Sequence, residues 1–493
     1  MGVLVADPAY ASFYTNSSNG PTILINGHLI SDVVLSDEFS CAYNLRFDNC
    51  EFQGNFRITA GVFKNIELMG CSLHKQQSFV IMNGTFAKIM FHSDNVFEGS
   101  ISFHGGRFAD VSVSGGNYNH RILFSNGSFQ RVHIGTCDIS SVGFMSGVFD
   151  VVQISGLNTS SLSFSDGLYR SIAIYGLSKI SVVNFNNGVI NSLLFHAPNV
   201  EKIENHISGI GTGLFIKKLT LKQMGVFDGL FVGIPIETIE FQPSYLKSST
   251  SLRFQNIRAS NVNFNGFVNL GQLAFSVLTL KNQLSVIDSD LGKASFINSN
   301  IKNISLALEN SKITDVFFSD TSFPDKVSQN DHQQRLTYAQ LKKINESKGD
   351  YLEANRFYAL EMNAYYNTIT WNEKTFWEKF NLFLNKYSNN HGQNWALGLG
   401  SSLLIGMIFY MFYLVSFGGW TYNFCSSSHW VSAIGNASYF LEFVNPIHKT
   451  DAIAEYLDLK PNKTSRFIET ASRIVIAYTV YQMIQAFRKH AKK

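Results

Sequence analysis

Between Phe103 and Ile174 an inward-type residue falls at nearly every fifth position: Phe103, Phe108, Val113 and Tyr118, then after one slip Phe124, Phe129, Ile134, Ile139, Phe144, Phe149, Ile154, Thr159, Phe164, Tyr169 and Ile174. A helix repeats its apolar face every 3.6 residues and a strand every 2, so this period belongs to neither alone. It predicts a solenoid whose chain turns after each short face and stacks coil on coil. A slower rhythm overlies it. Glycine stands two residues before the aromatic in Gly61-Val62-Phe63, Gly84-Thr85-Phe86, Gly106-Arg107-Phe108, Gly127-Ser128-Phe129, Gly147-Val148-Phe149 and Gly167-Leu168-Tyr169, at separations of 23, 22, 21, 20 and 20 residues. Each glycine therefore marks one full coil, at a corner that needs positive φ or close approach of neighbouring backbones.

The same period is clear in Ser289-Asp290-Leu291, Ala294-Ser295-Phe296 and Ser299-Asn300-Ile301. These triplets, with the glycine-aromatic repeats, resemble the pentapeptide-repeat family. The resemblance implies an all-β right-handed quadrilateral β-helix, with the bulky residue at the centre of each five and a small one two before it. Phenylalanine stands where that family more often has leucine, and slips break the register, so the repeats are divergent.

The register is expected to begin at Leu24, Leu29, Val34 and Phe39, leaving residues 1–22 as an N-terminal cap or arm. The β-helix is expected over 23–323, loosening between Ala197 and Thr250 and finishing at Ile313, Phe318 and Phe323. That amounts to roughly fourteen coils at the strand spacing of about 4.8 Å. From 324 to 390 the pattern turns helical. Tyr338, Leu341 and Ile344, then Leu352, Phe357 and Tyr358, flank a Gly349-Asp350-Tyr351 turn like one tetratricopeptide-type hairpin. Trp371 to Tyr387 reads as an amphipathic interfacial helix carrying Phe376, Trp377, Phe380, Phe383 and Leu384.

Residues 391–493 form the expected α-helical transmembrane module. Trp395 to Phe417 runs 23 residues without a charge, enough to cross a hydrocarbon core of about 30 Å. A weaker second crossing is expected over 467–487. Gly398, Ser402 and Gly406 share one face of the first helix, a small-residue stripe suited to close helix packing within the chain or between copies. On the second, Ser472, Thr479, Gln482 and Gln485 are candidates for a polar seam or a pore lining. Glu469 and Arg473, four apart, are an expected interfacial pair. The C-terminal run Ile484-Gln485-Ala486-Phe487-Arg488-Lys489 resembles the end of bacterial membrane proteins that join pentapeptide repeats to a two-helix membrane module. With Lys374, Lys379 and Lys386 before the first crossing and a basic tail after the second, the positive-inside rule places the β-helix and the C-terminus in the cytoplasm of a multi-pass inner-membrane protein. The intervening loop then faces out, with Trp430 to Val444 dipping into the membrane.

Composition adds limits. Charged residues make up only 15% of the chain, against about a quarter in soluble domains. Residues 1–323 carry 21 Lys and Arg against 23 Asp and Glu, a balance that gives little support to an acidic DNA mimic and none to a basic nucleic-acid groove. The five cysteines, Cys41, Cys50, Cys71, Cys137 and Cys425, have no metal-ligand or disulfide spacing. No nucleotide-loop, zinc-protease or nucleophile-elbow motif occurs, and no catalytic, cofactor or metal residues are assigned. The sequence is thus read as a non-enzymatic membrane protein. Its β-helix binds or senses a protein partner, and its helices assemble, as a homo-oligomer, to perturb or conduct across the lipid bilayer; a bacterial defence effector would fit. A membrane-tethered interaction scaffold without a pore is the alternative, and a carbohydrate-active β-helix enzyme a second. No nucleic-acid partner is expected.

Overall fold

The computed structural model describes residues 11–16, 20–27, 29–35, 41–176, 178–196, 199–205, 213–222, 227–324, 327, 330–417, 435 and 438–491. The chain divides into two compact units, Met1–Ser328 and Gln329–Lys493, five residues beyond the expected boundary in the sequence.

The first unit is a parallel β-solenoid of about 13 turns. Its central coils are built from long strands that alternate between two sheets: Arg107–Ser114, Asn117–Ser125, Ser128–Gly135, Asp138–Met145, Val148–Ser155, Asn158–Ser165 and Gly167–Tyr175. Each strand pairs in parallel with its counterpart one coil away, so that Phe129 faces Phe149 and Phe144 faces Phe164. Two successive five-residue faces merge into one strand. In Val148–Ser155 the buried residues are Phe149, Val152 and Ile154, and the outward pair Asp150-Val151 bends the strand between them. Earlier coils split the second side, as in Ser72–Leu73 followed by Ser78–Met82.

Every member of the five-residue series from Phe103 to Ile174 is buried, as are Leu291, Phe296, Ile301, Leu306, Ile313, Phe318 and Phe323. The series omitted a third inward position, filled by Val111, Val132, Val142, Val152, Leu162 and Ile172, all buried as well. In the first coil the expected register is corrected. Leu29 and Val34 are 66% and 56% exposed, while Ile30, Val33 and Leu35 point inward. A shift of one residue moves every side chain to the other face of a strand, and the Gly27-His28-Leu29 triplet imitates the corner that sets the register elsewhere. The strand Ala11–Asn16 pairs antiparallel with Gly20–Asn26, closing the end of one sheet as a cap should; residues 1–10 and Phe39 lie outside the described residues.

Ring ladders run along the interior. Phe63, Phe86, Phe108, Phe129, Phe149 and Tyr169 stack at centroid spacings from 4.7 to 5.2 Å. A second ladder, Phe103, Phe124, Phe144, Phe164 and Phe185, stacks at 4.9 to 5.4 Å. The two meet edge-to-face, as Phe144 meets Phe149 at 5.5 Å and 84°. Each fully buried ring contributes about 1.5–3 kcal/mol by leaving water, and favourable ring geometry about 0.5–1.5 kcal/mol more. The glycine corner follows from the first ladder. A Cβ on Gly147 would stand 2.8 Å from the Gly127 carbonyl oxygen and 2.9 Å from the Phe149 ring. The aromatic folds back over the glycine two residues earlier, so the two residue types recur together.

The second unit opens with α1 (Asp331–Lys348) and α2 (Tyr351–Thr368), the expected hairpin. Gly349 ends α1 at φ 78°, and Asp350 accepts from the Glu353 amide to start α2. Tyr338, Leu341, Ile344 and Phe357 are buried between the helices, whereas Leu352 is exposed and Ala354, Ala359 and Ala364 take the inner face. Next come α3 (Phe376–Asn389), α4 (Trp395–Val415), a short helix Ala452–Tyr456 and a final helix Lys463–Ala491.

Candidate functional site

Among the described residues one helix, α4, is long and apolar enough to cross a membrane. Its 21 residues cover about 31 Å at 1.5 Å each. The final helix is continuous over Lys463–Ala491 and so extends past both ends of the expected 467–487 crossing. It carries Arg466, Glu469, Arg473 and Arg488 and does not reach the apolar content of a span, so a multi-pass arrangement lacks that support.

The small-residue stripe of α4 is used inside the chain. Gly398, Ser402 and Gly406 are all buried. A Cβ on Gly398 would lie 3.0 Å from Cα of Met483 in the final helix, and one on Gly406 would lie 2.6 Å from Val444 Cγ2. Ser402 donates to the Gly398 carbonyl at 2.8 Å. At the other end of α4, Tyr410, Tyr413 and Leu414 pack with Phe443, Ile453 and Ile476. The opposite face presents Leu404, Met407, Ile408, Met411, Phe412 and Val415 to the surroundings.

The polar seam is also engaged internally. Gln482, 6% exposed, accepts through both its side-chain oxygen and its backbone carbonyl from Asn389 Nδ2, at 2.9 and 3.0 Å. Ser472 and Thr479 are buried and donate to carbonyls of their own helix, those of Glu469 and Ile476, at 2.8 and 2.9 Å. Gln485 is exposed and donates to Tyr481 Oη at 2.6 Å. Gln482 is thus brought to α3, while Gln485 is not part of the same contact.

Glu469 and Arg473 pair at 2.8 Å as their spacing predicts, with Glu469 buried. A third member was missed: His448 Nε2 lies 3.0 Å from the same carboxylate oxygen, and its Nδ1 lies 2.6 Å from the Asn445 carbonyl. The Asp451 amide donates to both Glu469 oxygens, at 3.2 and 3.3 Å, and Arg473 reaches Thr450 Oγ1 at 3.1 Å. Arg466 adds an ion pair with Asp451 at 2.8 Å. This cluster clamps the 445–451 loop to the final helix. Residues 438–444, the described end of the expected membrane-dipping segment, are helical; residues 418–434 and 436–437 lie outside the described residues.

On the amphipathic helix α3 the aromatics face outward. Phe376, Trp377, Phe380, Phe383 and Tyr387 are exposed, and Leu382 takes the buried side. Lys379 and Lys386 flank the Tyr366 ring at 4.8 and 4.7 Å, and their stems lie along aromatic surface.

The solenoid has its own surface groove of about 490 Å³, lined by Lys64, Thr85, Ala87, Arg107, Ala109 and Gln130 among others. Alanines on adjacent coils leave it shallow and partly apolar, and Lys64 and Arg107 give it positive charge. Charges elsewhere on the outer faces pair between neighbouring coils, as in Arg131–Asp110 at 3.7 Å, Lys218–Glu240 at 2.7 Å and Arg253–Asp228 at 3.4 Å. Cys50, Cys71 and Cys137 are buried thiols outside any disulfide. Burial pushes the Cys137 thiol up to about 12, which removes it as a nucleophile near neutral pH. Among the described residues no three His, Cys, Asp or Glu side chains converge as metal ligands. Comparison with protein-family models, curated proteins and solved structures gives no match.

Proposed function

We propose that this chain is a non-enzymatic, membrane-anchored scaffold, with the helical unit as anchor and the solenoid as the surface that binds a protein partner. One observation carries the reading. The outward face of α4 is uniformly apolar, while its small-residue stripe and the Gln482 seam of the final helix are already satisfied within the chain. A helix that has spent its close-packing face on its own neighbours can stand in lipid without a second copy. The outward aromatics and lysines of α3 suit the bilayer interface. On this reading the chain crosses at α4, the final helix completes the anchor, and the solenoid stands in the cytoplasm of a bacterial cell as a divergent pentapeptide-repeat β-helix of right-handed, four-sided form. The groove over Lys64, Ala87, Arg107 and Ala109 favours a partner segment with both acidic and apolar residues.

The conducting alternative, an assembled pore serving defence, asks Gly398, Ser402, Gly406 and Gln482 to face other copies or water. The test is ion flux across liposomes holding the full chain, together with flotation and carbonate extraction. The anchor reading expects the protein to stay with the membrane and the liposomes to stay tight at every protein density. Flux that both Ser402→Leu and Gln482→Leu abolish, with the variants still membrane-retained, would replace the scaffold with a pore.

A further inference from the structure

A groove of about 460 Å³ lies between α3, α4 and the final helix, lined by Phe380, Tyr387 and Ser388, by Ser401 and Ile405, and by Tyr478 among others. Its size falls within the range of about 300–1,000 Å³ seen for small-molecule sites, and its walls are almost wholly apolar. Two buried polar atoms on the lining break that pattern, Tyr478 Oη and Ser388 Oγ, neither with a hydrogen-bond partner. Of the two, Ser388 Oγ lies on α3 beside Ser401 of α4, and Ser388 is 7% exposed. The neighbouring hydroxyl is turned elsewhere: Ser401 Oγ lies 3.3 and 2.9 Å from the Ser388 and Gly398 carbonyls, to which it donates, and it makes no hydrogen bond with Ser388 Oγ. A buried hydroxyl left unpaired keeps its desolvation penalty with no bond to offset it.

We infer that the groove holds one acyl chain of a bilayer glycerophospholipid, with an ester carbonyl accepting from Ser388 Oγ. The inference rests on the anchor reading, since it takes the ligand from the surrounding membrane. The chemistry matches on each count. A hydrocarbon tail suits walls such as Phe380 and Ile405, a hydroxyl donor needs an acceptor, and an ester carbonyl is the acceptor that lies at the head of a lipid tail. The position matches too: α3 presents its aromatics as an interfacial helix does, and carbonyl groups of glycerolipids lie at that depth. The lipid would fasten α3 to α4 and the final helix.

The test uses the full chain in phosphatidylcholine vesicles doped with a phosphatidylcholine bearing a photoreactive diazirine in one tail. Labelling is expected to concentrate on Ile405 and Tyr478 over Leu404 and Met411, which are exposed on the outward side of α4. Ile405→Trp, filling the groove, should remove the groove label and leave that on Leu404. Ser388→Ala should lower groove labelling roughly five-fold, the size of one ordinary hydrogen bond. Labelling that simply follows exposure, or that neither substitution changes in chain that floats with the vesicles, overturns the lipid site and leaves the anchor standing. Protein that does not float with the vesicles overturns both.

Discussion

At the scale of single residues the solenoid is held by a few positions that tolerate almost nothing else. Gly147 is one, since a methyl group there meets both the Gly127 carbonyl and the Phe149 ring. Gly147→Ala is expected to destabilise the solenoid by about 1–3 kcal/mol, the usual size of an overpacking error, read as a lower urea midpoint of the sheet signal. An unchanged midpoint would show that the corner yields freely. His104 gives a pH dependence. Burial pushes its imidazole below the ordinary value of 6.5, so the folded chain binds that proton less well than the unfolded chain. Its contribution is complete above the unfolded value and is lost as pH falls through it towards the lower folded value. Urea stability should therefore drop as pH falls below about 6.5, and His104→Gln should shrink that drop. The same loss in both proteins would assign it to other groups.

At the scale of elements, what was legible in the sequence depended on the distance between partners. The five-residue period exposed the ladders because each coil repeats its neighbour, so Phe129, Phe149 and Tyr169 appear as a rhythm even though they touch only in space. The third inward position, Val132 or Val152, was hidden because it falls between the beats and reads as one more apolar residue. The first coil misled because its Gly27-His28-Leu29 triplet matches the later ones in letters while its inward residues are Ile30, Val33 and Leu35. In the helical unit Glu469–Arg473 was legible as an i, i+4 pair, but His448 lies 21 residues from its carboxylate and Asn389 lies 93 residues from Gln482, separations that no local pattern reports. The fates of Gly398 and Gly406 were left open for the same reason: small residues announce a close neighbour without naming it. The buried cluster gives this scale its prediction. Glu469→Ala leaves His448 and Arg473 facing each other without the carboxylate, and removing one partner of a buried ionic group costs about 3–5 kcal/mol. The variant should melt well below the wild type in the helical far-ultraviolet signal, whereas Arg466→Ala, which breaks the more exposed pair with Asp451, should cost under about 1 kcal/mol. Equal effects would mean that the cluster is not what holds the 445–451 loop.

At the scale of the whole molecule, two units with different physics share one chain. The solenoid is a nearest-neighbour stack, in which a coil is stabilised by the coils above and below it and a defect propagates along the array. The helical unit is a small bundle whose core joins Tyr410, Tyr413, Phe443, Ile453 and Ile476. A chain of this kind need not unfold in one step, because two-state behaviour belongs to single domains. In detergent, denaturation followed by sheet and by helix signals should therefore give separate transitions. Phe144→Ala removes a ring that stacks on Phe124 and Phe164 at 5.0 Å each and meets Phe149 edge-on; such truncations cost about 3–5 kcal/mol. The loss should fall on the sheet transition alone, and the helical transition should stay where it is. If both shift together, the units are thermodynamically coupled. Binding at the solenoid would then be able to alter the stability of the anchor, because a ligand that stabilises one half of a coupled pair must stabilise the other. Independent transitions would instead leave the anchor as a passive holder, with the solenoid's partner deciding what the protein does.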